Sequence, residues 1–401
     1  MPAMYMINGQ LRTIKYANNA YNLFTSSHLK YVTIEDGVDI IPAGAFQNCS
    51  SLEAIAIPDS VISIGDQAFY GCSSLASIDI PDNVTRIGNN VFYNCRSLPS
   101  INIPDGVTNI GGQAFYNCKS LSNVTIPDTV TNISYGAFYG CSSLRSINIP
   151  DAITSIGERT FYYCSSLASI NIPDNVTKIG DYAFAGCKSI TTITVPSIVT
   201  SIGKSAFYDC ASLTSINIPD GVIGIEEYVF GECASLSSIN LPDSITYIGK
   251  HAFRNCNSLT SITIPDNATY IGDSAFNGCA KLETIEVSNN SQLTRIEDEA
   301  FAYCSKLTDI NIPDGVTYIG DRAFNYCSSL VSINIPNNAT YIGDAAFRSC
   351  NKLASINIPD NVTYIGDNAF FTQSDNTIVH YEGTATGSPW GAGKVLPYPT
   401  E

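Results

Sequence analysis

LASIDIPDNVTRIGNNVFYNC runs from Leu75 to Cys95, and its spacing decides the fold. Cysteine stands every 23 residues from Cys49 to Cys279, then at Cys304 after one step of 25, then at Cys327 and Cys350. Phenylalanine keeps the same step, from Phe46 and Phe69 to Phe347 and Phe370. One unit reads L-x-x-I-x-I-P-D-x-V-x-x-I-G-x-x-A-F-x-x-C-x-x, with Leu75, Ile78, Ile80, Pro81, Val84, Ile87, Gly88, Val91, Phe92 and Cys95 at its fixed positions. A chain of 401 residues would ordinarily be divided into two or three domains. A repeat overrides that division. Each unit is one coil, too small to bury its own apolar face, and stacking neighbours makes one continuous core.

Within the unit, Leu75–Ile80 alternates apolar and polar at its end, with Ile78 and Ile80 inward and Asp79 outward. This is a strand pattern, and Pro81 ends its hydrogen bonding. The Pro-Asp-Asn triplet is a turn, and Val84–Ile87 reads as a second short strand. Gly88 is expected to take a conformation closed to other residues, and NNVFYNC to form one helical turn. The fold class is therefore a β-rich solenoid.

This unit resembles the BspA-type (Treponema-type) leucine-rich repeat family. The I-P-x-x-V-x-x-I-G-x-x-A-F-x-x-C core matches that family's motif from Leu29 to Phe370, in about fifteen near-identical copies. The resemblance implies a right-handed, curved array with a parallel sheet on its concave face. It also implies a bacterial or protozoan cell-surface or secreted protein that adheres to host or matrix proteins. On this reading residues 1–28 are an N-terminal cap, 29–371 the solenoid, and 372–401 a C-terminal cap. Around 288–295 two extra residues replace the Ile-Pro-Asp turn, and they are expected to bulge from that turn without splitting the domain. TIVHY near the end is expected to add an edge strand, and Trp390 to cover the open end.

Charge narrows the partners. Net charge is −16, from 20 Lys and Arg against 36 Asp and Glu. Such a chain is repelled by nucleic acid and by anionic membrane surfaces, so a charged partner is expected to be basic. The first residues show no charged start followed by an apolar run. No stretch approaches the ~18 apolar residues of a membrane span. A monomer is expected, extracellular by resemblance, with a cytoplasmic or phage-particle location as the alternative.

Catalysis finds no footing. His28, His251 and His380 are scattered, and no nucleophile elbow, H-E-x-x-H or phosphate-cradling glycine loop is present. Asp82, Asp105, Asp128, Asp151 and Asp174 form a column, but equivalent turn positions repeat one environment where a glycosidase needs two. A calcium loop needs several oxygen ligands at short spacing, and each turn here offers one Asp. Metal thiolate sites want closely spaced Cys pairs, so the cysteines are expected to be buried free thiols filling a corner, with occasional bridges between adjacent coils as the alternative. No metal or cofactor is implied. The sequons at Asn83, Asn175 and Asn361 arise automatically from a repeated turn.

Two surfaces remain. The outward residues between the buried isoleucines are Ser77, Ser100, Ser146, Ser169, Ser215 and Ser238 in one column. The other column holds Asp79, Asn102, Asn148, Asn171, Asn217, Asn240 and Asn311. They make a polar trough suited to weak, multivalent contact with a protein or extended polymer. The alternative is the aromatic stripe Tyr70, Tyr93, Tyr116, Tyr139 and Tyr162, with a second at Tyr247, Tyr270, Tyr318, Tyr341 and Tyr364. The function expected is non-enzymatic binding or adhesion. The alternative is a structural component of a phage tail, virion or surface layer, or an intracellular scaffold.

Overall fold

The computed structural model describes residues 29–372, 377–386 and 389–397, with the backbone of strands Tyr5–Ile7 and Gln10–Arg12. The cap expected over 1–28 otherwise lies outside the described residues, and so does His28. The chain is a parallel-strand β-solenoid of about fifteen turns. It divides into two compact units, Met1–Ile198 and Val199–Glu401.

Both strands of the coil form where the alternation places them. In the first unit, Ser77–Ile78 pairs in parallel with Ala54–Ala56, and Arg86–Ile87 with Asn109–Ile110. Between them the Val84 amide donates to the Pro81 carbonyl at 3.0 Å, closing the expected turn. In the second unit the pairing crosses the insertion unbroken: Ser261↔Thr284↔Asp309 on one side of the coil and Tyr270↔Arg295↔Tyr318 on the other. TIVHY does add a strand, Ile378–His380, but Lys394–Leu396 pairs beyond it. Trp390 is buried, edge-on to Tyr381 at 5.6 Å.

The segment expected as a helical turn is not helical. Ala68, Tyr70 and Cys72 each donate to the carbonyl three residues back, at 3.2, 3.0 and 3.1 Å. Gln67, Phe69 and Gly71 donate instead to the next coil, to Asn89, Val91 and Tyr93 at 2.9, 3.0 and 2.7 Å. Left-handed residues at Gln67 (φ 61°) and Gly71 (φ 74°) turn the chain so that alternate amides point outward. Every amide from Gln67 to Cys72 is thus satisfied, half within the coil and half between coils. A continuous helix would leave the inter-coil bonds unmade.

Gly88 also corrects its expectation. Its φ is not positive; glycine stands there because the preceding coil comes too close. A Cβ on Gly88 would strike the Asp66 carboxylate, and one on Gly111 would lie 2.6 Å from the Gly88 carbonyl carbon.

Phenylalanine fills the core as a continuous file. In the first unit, rings from Phe46 to Phe184 follow at centroid distances of 5.3–5.8 Å with planes within 12°. Near-parallel rings at these distances fall in the range of offset stacking, the favoured arrangement. All fourteen cysteines are buried and none is bridged. The Cys118 thiol donates to the Phe92 carbonyl at 3.1 Å, a bond repeated from coil to coil. Burial pushes the thiols of Cys95, Cys141, Cys279 and Cys350 up, the last two to about 12. Thiolate is the reactive form, so a maleimide added to the native protein is expected to label none of the fourteen, and to label all in urea. Fast labelling of even one in the absence of denaturant would contradict this packing.

Candidate binding face

The first-strand face, the one expected to be concave, presents its predicted columns to solvent. In the first unit Ser77, Asp79, Ser100, Asn102, Ser146, Asn148, Ser169 and Asn171 are all exposed, between buried isoleucines. In the second unit Ser215, Asn217, Ser238 and Asn240 are likewise exposed. Short side chains standing off a sheet at alternate positions leave their hydroxyl and amide groups facing outward.

What sets this face apart is how little of that capacity is engaged. On the turn face, Asn83 donates to the Asp59 carbonyl at 2.9 Å and Asn175 to that of Asp151 at 2.9 Å. Asn361 does the same to Asn337 at 2.7 Å. Thr131 and Thr177 donate to the threonine carbonyl one coil back, each at 3.3 Å. The sequon asparagines are therefore coil-to-coil fasteners. By contrast, the side chains of Asn102, Asn171, Asn217 and Asn240 make no hydrogen bond to the described residues. Two of the predicted asparagines depart from this. Asn148 grips the Ile126 backbone, donating at 2.8 Å and accepting at 3.2 Å, and Asn311 donates to Asn289 at 3.0 Å. Sequence could not separate Asn148 from Asn171; only the neighbouring strand end does.

The family model described as "BspA type Leucine rich repeat region (6 copies)" matches residues 18–145, 85–214, 200–327 and 287–386. The chain belongs to the BspA-type leucine-rich repeat family. Among solved structures it is similar to a leucine-rich repeat protein from Bacteroides ovatus, with 30% identity and a TM-score of 0.78. That match covers 90% of this chain and 94% of that one. A leucine rich cell surface protein from Faecalibacterium prausnitzii is 29% identical over 89% of this chain and 94% of its own, with a TM-score of 0.49. The pneumococcal vaccine antigen PcpA, 17% identical, shares the fold at a TM-score of 0.53, over 79% and 91% of the two chains. No curated protein matches the chain.

The BspA-type repeat also explains the aromatic stripe. Tyr70, Tyr93, Tyr116 and Tyr139 stack face to face at 4.5, 4.3 and 4.3 Å, and Tyr162 tilts across the end at 4.7 Å. Each ring covers its neighbour's face, so the stripe offers a partner ring edges and hydroxyls. Burial and the adjoining phenols push Tyr93 and Tyr139 up to about 12, keeping them neutral. In the second unit, Tyr318, Tyr341 and Tyr364 stack at 4.7 and 4.6 Å.

The groups with the capacity for chemistry stand apart. His251 lies on the Tyr228 ring at 4.4 Å, and burial lowers its basicity. The His380 ring contacts the Pro397 carbonyl at 3.0 Å. Asp82, Asp105, Asp128, Asp151 and Asp174 are solvated turn residues. Among the described residues, no three or more His, Cys, Asp or Glu are placed to hold a metal ion. No described helix is long and apolar enough to cross a membrane.

Proposed function

We propose that this BspA-type protein is a non-enzymatic binding module, adhesive and displayed at a cell surface or secreted, which takes a protein or extended polymer along its first-strand face. Leucine-rich repeat solenoids of this family are generally non-enzymatic. Within this proposal 29–371 works as one solenoid, and the segments 1–28 and 372–401 close its ends. One observation carries the reading: the repeat engages its turn-face asparagines and threonines coil to coil but leaves Asn102, Asn171, Asn217 and Asn240 open to solvent. A solenoid needing polarity only for solubility would have no reason to treat the two faces differently. With no aromatic or Arg anchor among these columns, affinity comes from many modest bonds to one extended ligand.

A random-peptide phage library selected on the immobilised protein supplies a ligand. Replacing Asn102, Asn171, Asn217 and Asn240 together by Lys is expected to weaken the selected peptide by about tenfold or more. Tyr93→Ser and Tyr116→Ser are expected to leave it within about twofold. The opposite pattern would move the working surface to the tyrosine stripe.

A further inference from the structure

In the second unit the first-strand face stops being uniform. Strands Ser261–Ile264, Thr284–Val287 and Asp309–Ile310 run side by side with Thr263 opposite Glu286. Over them the face deepens into a hollow of about 460 Å³, lined by Thr263, Asp266, Glu286, Ser288, Asp309 and Asn311. The lining reaches the insertion segment at Ser288, and that segment is pinned on both sides. Ser288 donates to the Asp266 carboxylate at 2.5 Å, the Gln292 amide to the Asp266 carbonyl at 2.7 Å, and Asn311 to Asn289 at 3.0 Å. The groove continues as a second hollow of about 360 Å³ over Asp309, Asn311, Ser332, Asn334, Ser355 and Asn357. From the strand at 261 to the strand at 355 is four coil steps, ~19 Å, the reach of about six residues of extended chain.

Charge selects what lies there. Where ordinary coils carry Asn and Ser, Glu286 and Asp309 face the groove from adjacent strands, both exposed. Each accepts a hydroxyl, from Thr263 at 2.9 Å and Thr308 at 3.1 Å. Neither has a Lys or Arg within ion-pair distance among the described residues. Asp66, Glu227, Asp273 and Glu297, off this face, each do. The register sets Asp309 opposite Thr284, so Glu286 stands diagonally across from it. At the ~7–8 Å of a diagonal pair like charges still repel, and a cation entering between them relieves that repulsion.

We propose that this groove docks an extended peptide segment bearing lysine or arginine, whose cationic side chain enters the hollow between Glu286 and Asp309. The proposal rests on the binding reading above and names the partner's chemistry. A calcium ion is the poorer occupant, because two carboxylates on separate strands do not supply its six or more oxygens. Nucleic acid is repelled by the same two groups.

Fluorescence anisotropy on the full chain tests it, with a labelled alternating Ser-Lys dodecapeptide beside Ser-Glu and Ser-Asn counterparts. The Ser-Lys probe is expected to bind, more weakly as salt rises, and the Ser-Glu probe not to bind. Glu286→Gln with Asp309→Asn is expected to weaken the Ser-Lys probe about tenfold. Asp82→Asn with Asp105→Asn, the same change in net charge on two successive turns of the first unit, is expected to alter it less than twofold. Equal weakening by both pairs would overturn the site, showing attraction to overall charge, and would leave the face reading standing. A Ser-Asn probe binding as tightly as Ser-Lys would overturn the chemistry alone. Absence of Ser-Lys binding would overturn the proposal, with the library selection still deciding the face reading separately.

Discussion

Phe115→Ala is expected to lower the stability of the chain by about 3–5 kcal/mol. The ring is wholly buried and stacks on Phe92 at 5.4 Å and on Phe138 at 5.3 Å, so truncation removes contacts on both faces. Its neighbours belong to coils held by their own backbone ladders and cannot collapse inward to fill the space. Tyr116→Ala is the control, since Tyr116 also stacks between two rings but lies half-exposed at the surface. That change is expected to cost about 1 kcal/mol. Urea titration followed by circular dichroism reads both. Equal shifts in the two midpoints would mean that stacking alone, without burial, sets the stability.

The second large effect separates two adjacent glycines. A Cβ at Gly111 would sit 2.6 Å from the Gly88 carbonyl carbon and 2.7 Å from the Asn89 nitrogen, whereas at Gly112 nothing lies closer than 3.6 Å. Neither residue has a positive φ, so backbone strain does not distinguish them. Gly111→Ala must push two coils apart at the backbone and is expected to cost about 3 kcal/mol. Gly112→Ala is expected to be neutral, or to stabilise by up to about 1 kcal/mol by stiffening the unfolded chain. Thermal melts of the two variants check this. A destabilised Gly112→Ala beside an unaffected Gly111→Ala would refute the close-approach account of the glycine column.

The glycine result bears on what a sequence reveals. Period, core and strand positions follow from Phe, Cys and the Ile-x-Ile alternation, because burial repeats them at every coil. The NNVFYNC segment misleads because its apolar spacing suits a helix while its hydrogen bonds run between coils. The signal is present in Asn90 and Asn94, four apart, both left-handed at φ 54° and 59° and both of a type that tolerates that region. Gly88 suggests conformational freedom when it records the approach of the preceding coil, through the Asp66 carboxylate, which no single coil contains. The Ser and Asn columns are legible as exposed, but not which amides hold neighbouring coils together. Asn148 and Asn171 are the same residue at the same repeat position, and they differ only in the strand end beside them. The groove at the insertion is legible only in part. The two extra residues are plain, but their pinning to Asp266 and the ladder that brings Glu286 beside Asp309 depend on folded neighbours.

On the proposed function, the first-strand face, and not the turn face, receives the partner. Because the native thiols are buried, a single engineered cysteine reports its own surroundings. Asn171→Cys and Asn240→Cys place one on the face in each unit; Asp174→Cys and Asp243→Cys place one on the adjoining turns, all at exposed positions. Maleimide labelling rates are then compared with and without a saturating library-selected peptide. Protection of at least one face variant and unchanged labelling of both turn variants are expected. Protection of the turn variants with both face variants still open would contradict that function.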